Sequence, residues 1–207
     1  MRLFIVGASG RTGRHVVTEA VSRGHGVSAL MRPGSKGFAD SSCRILVGDA
    51  LDAEILAQSI PGHDVIISCL GQRTFNDALL LRMATQAMLH AMQRADVTRY
   101  LVLSQGLLFP SDKLFIRLLR WILRRHLRDS EAMEAIVRES GSDWTIVRPP
   151  RLLDGGPRRG YRISVGARAD GAASMQRADL AAFLLDEAEK REHVCKIIGI
   201  TQQDGHA

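Results

Sequence analysis

Residues Leu3 to Val6 form a short apolar run that passes at once into Gly7-Ala8-Ser9-Gly10-Arg11-Thr12-Gly13, and no other feature constrains the chain as tightly. An apolar strand leading into three glycines at three-residue spacing, with a helical pattern behind them, describes a sharp strand-to-helix turn. The first glycine permits the tight turn, the second lets the backbone approach a pyrophosphate, and the third allows close helix-to-strand packing. Amides at the helix N-terminus, aided by the positive end of its dipole, can then donate to phosphate oxygens. Ser9, Arg11 and Thr12 add side-chain donors. The pattern is G-x-x-G-x-x-G, with Ser9 standing where the commoner G-x-G-x-x-G has its middle glycine. Set between a strand and a helix, the loop predicts nucleotide binding.

The second apolar run indicates which nucleotide. Val27-Ser28-Ala29-Leu30-Met31 ends in Arg32, 22 positions after Gly10, and no acid appears before Asp40. A site for NAD carries Asp or Glu about 20 residues on, bonded to the ribose hydroxyls, and a carboxylate there repels the 2′-phosphate of NADP. Arg32 can instead grip that phosphate, supported by Ser35 and Lys36. NADP(H) is the expected cofactor.

Further β-rich runs at Arg44 to Val47, Asp64 to Leu70, Tyr100 to Ser104 and Trp144 to Val147 alternate with helical patterns, and a last strand is expected near Lys196 to Ile200. Runs such as Val65-Ile66-Ile67 are apolar without alternation, as strands buried on both faces are. The expectation is an α/β doubly wound parallel sheet. Helices are predicted from about Thr12 to Arg23, Asn76 to Arg94, Asp129 to Gly141 and Arg177 to Lys190. Asp129 is expected to cap the third of these and Gly141 to close it with a left-handed turn. With 207 residues, no repeat and no linker, residues 1–207 are expected to form a single domain.

Three scattered cysteines, no C-x-x-C pair and no H-E-x-x-H run predict a reducing compartment and no structural metal. Without a signal-peptide pattern or a run of about 18 uncharged apolar residues, a cytoplasmic protein with no membrane partner is expected. A net charge of +6 and a pI near 9.8 favour anionic ligands. Aromatic residues make up only 5%, too few to interleave the basic residues of a nucleic-acid platform, so nucleic acid is not the expected partner. Monomer and homodimer stay open. Residues Lys113 to Leu127 form a basic amphipathic segment. Its apolar stripe, with Leu114, Leu118 and Ile122 at four-residue spacing, is expected to close the substrate cleft or pack on the core, leaving Arg117, Arg120 and Arg124 to solvent.

With these residues in view, nearly the whole chain resembles the atypical short-chain dehydrogenase/reductase group, a Rossmann-type family. It is nearest to the biliverdin-IXβ reductase/flavin reductase type and its NmrA-like relatives. The matching segments are Gly7 to Gly13, Met31-Arg32, Gly48-Asp49-Ala50-Leu51, Leu70-Gly71-Gln72-Arg73, Leu103-Ser104, Glu139 to Pro150 and Gly160-Tyr161. The resemblance implies that Asp49 and Ala50 lie against the adenine and that Leu70, Gly71 and Arg73 line the ribose and pyrophosphate. It implies too that Ser104, the catalytic candidate, and Pro149 flank the nicotinamide. Substrate-side elements are expected from 105–128 and 151–175.

The chain departs from the group at its catalytic end. No Tyr-x-x-x-Lys pair occurs, since neither Tyr100 nor Tyr161 has Lys four residues on. Where the biliverdin/flavin reductase type is associated with a serine and a histidine, this chain has Gln105 and Arg151, the substrate-binding candidates. Glutamine carries no titratable proton and arginine stays charged. The expected activity is therefore NADPH-dependent hydride transfer to a small conjugated acceptor that stabilises its own charge, a flavin or quinone ahead of a linear tetrapyrrole. The alternative is a non-catalytic NADP(H)-binding redox sensor acting through a protein partner.

Overall fold

A computed structural model of the chain describes residues 1–35, 37, 42–72, 79–158 and 160–203. Lys36 and Arg73, both expected beside the cofactor, lie outside the described residues. The elements in chain order are β1 (Arg2–Val6), α1 (Arg11–Ser22), β2 (Gly26–Met31), β3 (Arg44–Val47), α2 (Ala53–Ser59), β4 (Val65–Ser68), α3 (Leu80–Arg94) and β5 (Arg99–Leu103). They continue with α4 (Leu114–Ile122), α5 (Arg124–Glu139), β6 (Asp143–Arg148), β7 (Arg151–Leu153), β8 (Tyr161–Val165), β9 (Ser174–Gln176), α6 (Arg177–Lys190) and β10 (Lys196–Gln202).

Eight of the strands form one sheet in the order β3-β2-β1-β4-β5-β6-β10-β8. β1 is buried along almost its whole length because its two faces meet different layers. Leu3 and Ile5 pack with Val16 and Val17 of α1 and Leu180 and Leu184 of α6, whereas Phe4 and Val6 pack with Leu56 of α2, Met88 of α3 and Met133 of α5. Helices cover both faces, which is why the inner strands carry no polar alternation. The result is a single-domain Rossmann fold. β1 pairs in parallel with both β2 and β4, so the winding reverses at its C-terminal end. A crevice opens at such a point, and there an α/β sheet receives ligands.

The sheet's buried centre follows the expected strands to within a residue or two, but several peripheral elements differ. α2 is additional, a seven-residue helix whose start is fixed by Asp52, which accepts from the Glu54 and Ile55 amides at 2.9 and 3.2 Å. β7 and β9 form a small separate parallel pair, and β8 runs antiparallel to β10 at the sheet edge, with Arg162, Ile163 and Val165 exposed. α3 is described from Leu80, and the earlier start expected at Asn76 falls outside the described residues.

Asp129 requires the largest correction. It does not begin a helix: α5 starts at Arg124, and Asp129 is buried in its second turn. Its carboxylate accepts from the Leu81 and Arg82 amides at 3.0 and 3.2 Å, capping the first turn of α3 instead. Gly141 does end α5 with φ +69°. The basic segment is also not one helix but two, α4 and the start of α5, meeting at Leu123. No residue of α4 is buried, and Leu114, Phe115, Leu118, Trp121 and Ile122 are exposed, so the expected packing of its apolar stripe is not what the fold does.

Among the described residues no helix is long and apolar enough to cross a membrane, and no cluster of His, Cys, Asp and Glu has the arrangement to hold a metal.

Candidate functional site

The glycine turn shapes the site first. Gly7 has φ +72°, and a Cβ there would stand 2.9 Å from the Cys69 carbonyl oxygen. A Cβ on Gly13 would come within 2.3 Å of the Gly7 carbonyl oxygen, so only glycine lets α1 press against the turn. Gly10 is the N-cap of α1 and the first turn contains no acid, so the leading amides point outward with no side-chain acceptor among the described residues. An anion is the group that would satisfy them.

Those amides face a cleft of about 450 Å³ at the C-terminal ends of β1 to β4. Gly7, Ser9, Gly10, Arg11 and Thr12 form one wall, and Gly13 packs behind it. Arg32 reaches the cleft from the end of β2, Asp49 and Ala50 from beyond β3, and Leu70 and Gly71 from beyond β4. Asp49 is held in a turn by accepting from the Leu51 amide at 3.0 Å. Ser35 is not among the lining residues, because its hydroxyl donates to the Arg32 carbonyl at 2.5 Å and braces the turn that follows Arg32. Cys69, at the cleft floor, is no nucleophile at neutral pH, since burial pushes its thiol up to about 12.

Several lining residues were not expected from the sequence: Val6, Leu30, Gly48 and Cys69 along the strand ends, and Gln72, Leu80 and Arg177 beyond them. Arg177 opens α6, and its guanidinium donates to Asp154 at 2.7 Å; Asp154 also pairs with Arg11 across the mouth of the glycine loop. Arg177 is only 9% exposed, and its Nε has no acceptor among the described residues. A cation at a helix N-terminus opposes the helix dipole, which was the signal available in the sequence. Gln72 donates from Nε2 to Asp129 at 2.7 Å, and its buried Oε1 is likewise without a partner among the described residues. Leu80, the first residue of α3, completes the apolar side.

The expected catalytic side lies on the next strands over. Ser104 follows β5, Pro149 and Arg151 follow β6, and none of them lines the cleft. The Ser104 hydroxyl donates at 2.5 Å to Glu134 of α5, which is buried and held by both Nε and Nη2 of Arg148 at 2.8 and 2.6 Å. Gln105 donates to the Ser130 hydroxyl at 2.8 Å. Arg151 is exposed on β7. Neither tyrosine offers an acid: Tyr100 is fully buried, and the Tyr161 hydroxyl donates to Asp186 at 2.6 Å. Burial foremost, and for Tyr161 the Asp186 carboxylate as well, push both phenols above their ordinary value.

Residues 7–191 match a protein family described as NAD(P)H-binding. The uncharacterized protein YwnB of Bacillus subtilis (strain 168) is 29% identical over 205 residues, 93% of this chain and 94% of its own length. Among solved structures, SP1627 of Streptococcus pneumoniae TIGR4, a putative NADH-flavin reductase, superposes with a TM-score of 0.83 at 24% identity, covering 98% of this chain and 100% of that one. A wide-type short-chain dehydrogenase/reductase of Veillonella parvula DSM 2008 in complex with NADP superposes with a TM-score of 0.81 at 15% identity, covering 100% and 96% of the two chains. At these identities the two structures attest to the shared fold.

Proposed function

This chain belongs to the NAD(P)H-binding family, and from that premise we propose that it is an NADPH-dependent reductase passing hydride to a small conjugated acceptor, a flavin or quinone ahead of a linear tetrapyrrole. The observation that carries the reading is the cleft itself, where uncapped α1 amides and the guanidiniums of Arg11, Arg32 and Arg177 converge at the reversal of the sheet. These residues fit a phosphorylated dinucleotide. The bare turn and leading amides of α1 receive the diphosphate, and Arg32 receives the 2′-phosphate, joined in this proposal by Lys36. Asp49 and Ala50 take the adenine, and Leu70, Gly71 and Arg73 the ribose. Gln72 Oε1 and Arg177 Nε, without partners among the described residues, offer one acceptor and one donor to the same ligand.

When bound, NADPH supplies the hydride and the protein supplies alignment. Ser104 and Pro149 then flank the reacting ring, with Gln105 and Arg151 on the acceptor side. Because the Ser104 proton already rests on the hydrogen bond to Glu134, its hydroxyl meets a ligand as an acceptor. With Tyr100 buried and Tyr161 bonded to Asp186, the described residues offer no strong acid here. That favours acceptors whose reduced form carries its own negative charge until water protonates it.

The same hydrogen bonds also favour a second reading, a sensor that binds NADP(H) without turnover and signals to a protein partner. NADPH consumption measured against a panel of flavins, quinones and linear tetrapyrroles separates the two. Saturable consumption with a flavin or quinone is the expected result; tight NADPH binding with no consumption across the panel assigns the sensor.

A further inference from the structure

Leu114, Phe115, Leu118, Trp121 and Ile122 of α4 are each between 53% and 78% exposed, the largest cluster of exposed apolar side chains on the described molecule. At 3.6 residues per turn the helix divides into three arcs. These five residues share one arc. Arg117 and Arg120 share the next, flanked by Lys113 just before the helix and Arg124 just after it, and Ile116 and Leu119, both half-buried, share the third, turned toward the protein. Arg124 sits over the Trp121 ring, 5.2 Å from its centroid, so a cation and an indole meet at the border of the first two arcs.

The charges identify what covers the apolar arc. From Lys113 to Arg128 the chain has no acidic residue, and Arg125 and Arg128 extend the basic rim, exposed, along α5. A second copy related by a two-fold axis would set this rim against itself. An anionic bilayer presents an apolar interior beneath a layer of phosphates, and it matches both arcs at once. We infer that α4 is an interfacial membrane-binding helix, inserting its Leu114–Trp121–Leu118 face into an anionic lipid surface while its Lys/Arg arc lies among the headgroups. The expectation of no membrane partner rested on the lack of a spanning segment, and an interfacial helix needs none.

The inference is independent of the reductase reading, since lipid binding requires no cofactor. Its test is sedimentation of the full chain with vesicles of phosphatidylcholine mixed with phosphatidylglycerol, and with phosphatidylcholine alone, while following tryptophan emission. The second tryptophan, Trp144, is 8% exposed in the core, so a shift on lipid addition reports Trp121. Binding and a blue shift are expected with the mixed vesicles, and much weaker binding without phosphatidylglycerol. Leu118→Gln with Ile122→Gln is expected to lower partitioning by at least about tenfold, and Arg117→Gln or Arg124→Gln by about fivefold each. Circular dichroism of these surface variants should match the parent. No sedimentation with anionic vesicles overturns the inference. A blue shift that instead tracks protein concentration and a dimer mass in light scattering overturns it in favour of a second copy of the chain.

Discussion

Arg32 and Asp154 carry the most information at the scale of single residues, because each controls charge in the cleft. Arg32 directly follows β2, where a nicotinamide site without the extra phosphate would place a carboxylate. Arg32→Ala is expected to weaken NADPH by about 10- to 100-fold, the worth of a charge-assisted contact, and to leave NADH within about twofold. Nicotinamide fluorescence titration reads both. Asp154 neutralises two cleft guanidiniums, those of Arg11 and Arg177, and an incoming phosphate must compete with it. Asp154→Asn should therefore tighten NADPH, by only a few fold because Asp154 itself is about half exposed and its pair with Arg11 lies in solvent. Weaker binding would show that Asp154 holds the guanidiniums in place. The glycines and Arg32 were legible in the sequence because their constraints act between near neighbours. Asp154 was not, since it meets Arg11 across 143 positions that no local pattern connects.

Elements depend on hydrogen bonds that cross between them. Asp129 caps α3 from the middle of α5 and also receives Gln72, so one carboxylate joins two helices to the cleft wall. Asp129→Ala is expected to cost about 1–2 kcal/mol, lowering Tm by roughly 2–8 °C in calorimetry. Asp129→Asn, which keeps an acceptor oxygen, should fall between variant and parent. His63 is a second link, joining the α2–β4 connection to β2: its Nδ1 donates to the Ile60 carbonyl at 3.0 Å and its Nε2 accepts from Ser28 at 2.8 Å. Only the neutral ring can do both, and burial lowers its pKa below the ordinary 6.5. The unfolded chain then gains a proton first as pH falls, so the contribution of His63 is intact above 6.5 and is lost as pH drops from there through the lowered value. Urea unfolding should show the midpoint declining below about pH 6.5, and His63→Gln should flatten that decline. Aspartate followed by an apolar pattern is a sound sign of a helix start, yet for Asp129 the helix that starts is a neighbour. Sequence proximity suggests that an amide needs a cap without saying whose.

Across the whole molecule, the sheet was legible where burial is two-sided. Strands β1, β4 and β5 are apolar at nearly every position because helices press on both faces, and no helix pattern competes with them. β8 does alternate, Tyr161, Ile163 and Val165 against Arg162 and Ser164, but over only five residues at an exposed edge, and β7 and β9 are three residues long. α4 marks a different limit. Its periodicity reveals an apolar face, but only the fold shows that the face is turned away from the core. What the molecule assembles is a basic crevice at the reversal of its sheet, and NADPH is its expected ligand. Calorimetric titration of the folded chain with NADPH and with NADH tests this most directly. One saturable site is expected, with NADPH at least about tenfold tighter than NADH; no heat from either nucleotide, or NADH bound as tightly as NADPH, would contradict NADPH as the ligand of this crevice.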